Sequence, residues 1–115
     1  MLIVEDDRGL REALAECIAS MGFTVDTAED GQAGLVKLRV APLPAAVLLD
    51  MGLPGLDGNA FLEAMRREEP LAAVPVISMT AWHDPPRFPV HRHLEKPFDL
   101  DEIAKLLAKI TATPE

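Results

Sequence analysis

Cysteine is almost missing: Cys17, in the stretch LAECIASMGF, is the only one among 115 residues. No internal disulfide can form, so the residue reads as a small core side chain and the chain as one suited to a reducing compartment. Long apolar runs are missing too. The longest are short pieces such as AAVLL at 45–49, far below the roughly 18 residues that signal a membrane span. The opening MLIVEDD has no basic segment ahead of its apolar stretch and carries acids directly after it, which argues against a secretory leader and makes the cytoplasm the expected location. Basic residues are scarce: 11 Lys and Arg face 19 Asp and Glu, for a formal net charge of −8. That balance disfavours direct binding to nucleic acid or to an anionic membrane and favours cationic ligands.

What is present is a regular alternation. Short apolar runs at Leu2 to Val4, Phe23 to Ala28, Ala45 to Leu49 and Val74 to Met79 are separated by segments of helical period. This is the pattern of a single α/β domain, residues 1–115, built on a parallel sheet. Leu10, Ala13, Leu14, Cys17, Ile18 and Met21 share a helical face before Gly22, which predicts a helix over about 8–21. Further helices are expected over about 31–40, ended by APLP, and about 59–68, with Phe61, Leu62 and Met65 inward. A last helix follows the capping-box pair Asp99 and Glu102, with Leu100, Ile103, Leu107 and Ile110 on one face. A fifth strand belongs near Arg92 to Glu95.

The stretch LLDMGLPGLDG, 48–58, ends an apolar strand on Asp50. An unpaired buried carboxylate costs several kcal/mol, so either Asp50 merely initiates the glycine-rich turn or it has a partner. In an open parallel sheet, ligands gather at the carboxyl ends of the strands. There strand one delivers Glu5, Asp6 and Asp7, strand three Asp50, strand four Thr80 and strand five Lys96. Clustered carboxylates call for a divalent cation, and hard oxygen donors suit Mg²⁺. A lysine and a hydroxyl are what a phosphoryl group needs on its remaining oxygens. The set reads as an aspartyl-phosphate site with Asp50 as nucleophile.

VEDD, LLDMGLPGLDG, ISMTA and EKPF, in that order at those strand ends, resemble the receiver domain of bacterial response regulators over nearly the whole chain. The resemblance implies a flavodoxin-like doubly wound sheet of five parallel strands in the order 2-1-3-4-5. It implies that Asp50 is phosphorylated by a histidine kinase or phosphotransfer protein in a Mg²⁺-dependent reaction. Asp6 would bind the metal directly and Glu5 mainly through a metal-bound water, with Asp50 and the Gly52 backbone carbonyl completing the set. Thr80 matches the switch hydroxyl, Ala81 the small residue beside it, Lys96 the site lysine, and Pro97 a cis-proline turn. The resemblance also admits a homodimer, and a receiver either standing alone or cut from a longer regulator.

Two features depart from the family. Only 15 residues separate Thr80 from Lys96, and Pro85, Pro86 and Pro89 lie among them. A regular helix cannot cross that stretch, so the fourth helix is expected to be reduced or replaced by a proline-rich loop. The family's usual dimer and output surface is altered with it. The aromatic switch position is His93, either a rotamer toggle that can also take a proton or an ordinary edge residue. Trp82, the sole tryptophan, either covers the site or plugs the sheet face left by the missing helix. Two other readings compete. One is a haloacid-dehalogenase-type phosphatase, which wants a second acid where Gly52 stands. The other is a receiver-like interaction module that is never phosphorylated.

Overall fold

Three aspartates start three helices. Asp7 Oδ1 accepts from the Leu10 amide at 3.2 Å, Asp30 Oδ1 from Ala33 at 2.8 Å and Asp57 Oδ1 from Ala60 at 2.9 Å. Each satisfies a donor that the first helical turn leaves unpaired. In this computed structural model, which describes residues 1–40, 42–80 and 85–111 with side chains to 109, the capped helices are α1 (Arg8–Ser20), α2 (Gly31–Val40) and α3 (Gly58–Arg67). They alternate with strands β1 (Leu2–Val4), β2 (Asp26–Ala28), β3 (Val47–Asp50), β4 (Val76–Thr80) and β5 (Arg92–Glu95), and α4 (Leu100–Thr111) closes the chain. Gly22, at φ 97°, ends α1 where a side chain would be strained.

All strand pairs are parallel, in the order β2-β1-β3-β4-β5. Alternation along the strands divides the core. Val4, Leu49 and Val76 face α2 and α3, where Phe61, Leu62 and Met65 are buried. Ile3, Leu48 and Ile77 face α1 and α4 through Leu14, Ile18, Ile103 and Leu107. Central strands are therefore apolar on both faces, as a doubly covered parallel sheet requires.

The observed β2 is shorter than the apolar run at 23–28. It pairs with a β1 of only three residues, Leu2↔Asp26 to Val4↔Ala28, so its ladder cannot extend further; Phe23 and Val25 instead pack against the core. Cys17 is half-buried rather than a core residue, because α1 turns Leu14 and Ile18 inward and leaves Cys17 at the margin. Met21 is exposed.

Among the described residues no helix lies between β4 and β5. Phe88 and Val90 pack against the α2/α3 side of the core in its place, and Arg66 of α3 lies over the Phe88 ring, 5.6 Å from its centroid. Also among the described residues, no helix is long and apolar enough to cross a membrane.

Candidate functional site

Parallel register brings the strand ends to one edge. Val4 lies opposite Leu49, Asp50 opposite Met79 and Thr80 opposite Glu95. Glu5 and Asp6 leave β1 beside Asp50, and Lys96 enters from β5. Oxygens of Glu5, Asp6 and Asp50 fall within 4.8 Å of one another. Glu5 and Asp50 are buried, whereas Asp6 is exposed. Asp7 stands apart from this group, its side chain spent on capping α1.

Lys96 is the cation that faces them. Its Nζ donates to Glu5 Oε1 at 2.7 Å and lies 3.6 Å from Asp50 Oδ2. Asp50 Oδ1 accepts from the Gly52 amide at 3.1 Å, and Glu5 Oε2 from the Asp7 amide at 3.2 Å. Arg11 donates to the backbone carbonyls of Glu5 and Asp6, at 2.9 and 3.4 Å. It anchors the acidic strand end without neutralising the carboxylates directly.

The two buried carboxyls divide their roles. Burial, then the proximity of Asp50, pushes Glu5 up to about 7 against the opposing pull of Lys96. Burial alone would raise Asp50 as well, but hydrogen bonds from Glu5 and the Gly52 amide, together with the Lys96 charge, outweigh it and hold Asp50 below the usual carboxylate range. The same carboxyls raise Lys96 despite its own burial. Without metal, Glu5 is thus the carboxyl that holds a proton up to about pH 7, while Asp50 ionises first. A nucleophilic carboxylate requires that ionised state.

Hard oxygen donors on three side chains, faced by one lysine, suit a divalent ion such as Mg²⁺. Gly52 sits in the turn directly after Asp50. Thr80, buried, ends β4 on the α2/α3 side of the sheet by strand alternation, across the edge from Asp50. The backbone carbonyl of Thr80 accepts from the Lys96 amide at 2.7 Å, and the Lys96–Pro97 peptide is cis. Ala81 and Trp82 lie outside the described residues.

His93 is half-buried on β5, with Nδ1 2.6 Å from Oγ of the fully buried Ser78. Sequence reasoning had no means to find this bond, because Ser78 looks like a tolerated small residue inside an apolar strand. Asn59 was also passed over. Its Nδ2 donates to the Pro85 carbonyl at 3.2 Å and its Oδ1 accepts from the Arg87 amide at 2.7 Å.

A family model described as the response regulator receiver domain matches residues 1–108. The chain is 33% identical over 113 residues to the DNA-binding transcriptional regulator NtrC of Escherichia coli K12, covering 93% of this chain and 24% of that protein. It is 46% identical over 81 residues to the transcriptional activator PfeR of Pseudomonas aeruginosa, covering 70% of this chain and 25% of that protein. The chain thus spans about a quarter of the length of these curated relatives. Among solved structures, the receiver domain of a sensor histidine kinase from Pseudomonas aeruginosa PAO1, with a magnesium ion coordinated in its active site cleft, superposes with a TM-score of 0.87 at 25% identity, covering 97% of this chain and 96% of that one. The chemotaxis response regulator CheY4 of Vibrio cholerae shares the fold, with a TM-score of 0.84 at 24% identity over 95% of each chain.

Proposed function

The chain belongs to the response regulator receiver domain family, and from that premise we propose that Asp50 is the phosphoacceptor of a two-component switch. The donor is the phosphohistidine of a histidine kinase or phosphotransfer protein. An Asp50 carboxylate oxygen attacks phosphorus while the phosphorus–nitrogen bond to the donor imidazole breaks. The imidazole nitrogen keeps the bonding pair and takes up a proton. Receivers act as signalling switches rather than as enzymes on external substrates, and this chain acts likewise, in the cytoplasm.

The observation that carries the reading is the Lys96 ammonium held between Glu5 and Asp50 at the carboxyl edge of the sheet. Its position suits neutralising charge on a phosphoryl oxygen bonded to Asp50. Mg²⁺ held by Asp6, Asp50 and the Gly52 carbonyl, with Glu5 acting less directly, would supply the remaining positive charge. The bonds Glu5 makes to Lys96 and to the Asp7 amide favour that secondary role. Thr80 offers its hydroxyl to the phosphoryl group, and Ala81 is the small neighbour. His93, tied to Ser78 on the strand that carries Thr80, is placed to feel any movement of β4.

Incubation with acetyl phosphate and Mg²⁺, read by intact-protein mass, tests the assignment. One phosphoryl addition is expected on the wild type and none on Asp50→Asn. A stoichiometric addition to Asp50→Asn would place the nucleophile elsewhere. An unmodified wild type would favour the interaction-module reading, which the altered β4–β5 connection otherwise supports.

A further inference from the structure

Among the described residues between β4 and β5, Pro85 to Val90 form no helix and are held to α3 by specific bonds. The Asn59 carboxamide spans Pro86, donating to the carbonyl before it, Pro85, and accepting from the amide after it, Arg87. Only a side chain that carries a donor and an acceptor side by side makes both bonds. Phe88, one residue on, packs against the core under Arg66. The segment then joins the sheet through the His91 amide, which donates to the Val76 carbonyl at 2.8 Å.

Asn59 is itself fixed to the frame of Asp50. It follows Gly58, whose amide donates to the Met51 carbonyl at 3.2 Å. A Cβ on Gly58 would lie 2.5 Å from the Met51 Cα, so α3 starts in tight contact with the residue after Asp50. The other side of the clasp, Pro85, is five residues along the chain from Thr80. The two bonds of Asn59 therefore tie the turn that follows β4 in sequence to the helix start packed against the residue after Asp50. Relative movement of about 1 Å stretches a 2.7 Å hydrogen bond past useful length.

We propose that Asn59 is a positioning residue that clasps the Pro85–Arg87 turn to the first turn of α3, so that the attachment of the Pro85–Val90 segment reports occupancy of Asp50. The inference rests on the phosphoacceptor reading of Asp50 and adds the element that carries the signal outward. It places the changing surface on the α3 side of the sheet, where no helix lies between β4 and β5 among the described residues.

The test is residue-resolved amide exchange on the full chain, with and without beryllofluoride and Mg²⁺ and with bound fluoride measured by fluorine NMR. The reporter is the Arg87 amide, and the His91 amide is the internal reference. With fluoride bound to the wild type, Arg87 exchange should accelerate at least about threefold, the effect of losing one hydrogen bond, while His91 changes less. Asn59→Ala should exchange rapidly at Arg87 even without fluoride and respond no further, yet still bind fluoride. Alanine is a good helix former at that position, so the fold should survive. Asn59→Asp keeps the acceptor and should restore slow Arg87 exchange in the free protein, a rescue that loss of bulk alone would not produce. If Asn59→Ala also loses protection at His91, the Asn59→Asp result decides. Fluoride bound with Arg87 unchanged or slowed overturns the clasp alone, as does a response that persists in Asn59→Ala. No bound fluoride overturns the Asp50 assignment and the clasp with it.

Discussion

Glu5→Gln should abolish a pH dependence of stability that the wild type shows in metal-free buffer. In the folded chain burial and Asp50 raise the Glu5 carboxyl to about 7 from an ordinary 4.5. Below pH 4.5 the group is protonated in both folded and unfolded chains and costs nothing. As pH rises through 4.5 the unfolded chain releases the proton while the folded chain keeps it, so stability falls until about pH 7 and then levels off. At about 1.36 kcal/mol for each tenfold change in proton affinity, the loss is about 3 kcal/mol as an upper bound. Asp50, held below its ordinary 3.8, and Lys96, held above 10.5, titrate outside that window. Groups common to both proteins cancel when the variant's unfolding free energy is subtracted from the wild type's. The glutamine also alters the bonds to Lys96 and the Asp7 amide, which shifts the difference by a constant, so the slope is the diagnostic quantity. Urea unfolding at about five pH values between about 4.5 and 7.5, with chelator present, measures it. Mg²⁺, which favours the ionised cluster, should shrink the slope. Wild-type and variant curves parallel to within about 0.5 kcal/mol over that range would falsify the assignment of the retained proton to Glu5.

Asp6→Asn removes the exposed member of the three-carboxylate cluster and should weaken Mg²⁺ binding while raising metal-free stability by about 0.5 kcal/mol. Mg²⁺ titration and metal-free melting check the two arms, and equal or lower metal-free stability counts against mutual repulsion in the cluster. Gly58→Ala drives a Cβ to 2.5 Å from the Met51 Cα and should destabilise by about 2–4 kcal/mol in urea unfolding. A loss under about 0.5 kcal/mol would mean that the Met51 loop yields freely, and a loosely held Asp50 would follow.

Three strand ends were legible because a parallel sheet imposes its own punctuation. A doubly covered strand must be largely apolar along its length, so the carboxyl end of each run marks the edge, and Glu5, Asp50 and Thr80 stand out there by residue type; Lys96 follows the largely polar, partly exposed β5 (Arg92–Glu95) and was legible only from the EKPF motif. Helix faces were legible for the same reason, since Phe61, Leu62 and Met65 repeat at helical spacing and all three are buried. The prolines at 85, 86 and 89 were equally plain, because a residue without an amide hydrogen at fixed φ cannot sit inside a helix whatever surrounds it.

What the sequence determined by itself was therefore the fold class and the sheet edge at which the acidic residues gather, both of which follow from residue type and periodicity. Tertiary structure alone decided which acid keeps the proton. Glu5 and Asp50 are the same functional group, and burial of Glu5 with the Gly52 amide on Asp50 tells them apart, against the pull of Lys96, which lies nearer Glu5, at 2.7 Å, than Asp50, at 3.6 Å. It decided that Asp7 caps α1 instead of joining the cluster, and that β2 stops at three residues because β1 does. It also paired Ser78 with His93 and Asn59 with the turn around Pro86. Those bonds join residues 15 to 28 positions apart. Their geometry is set by how sheet and helices pack, and no local pattern of residues encodes it.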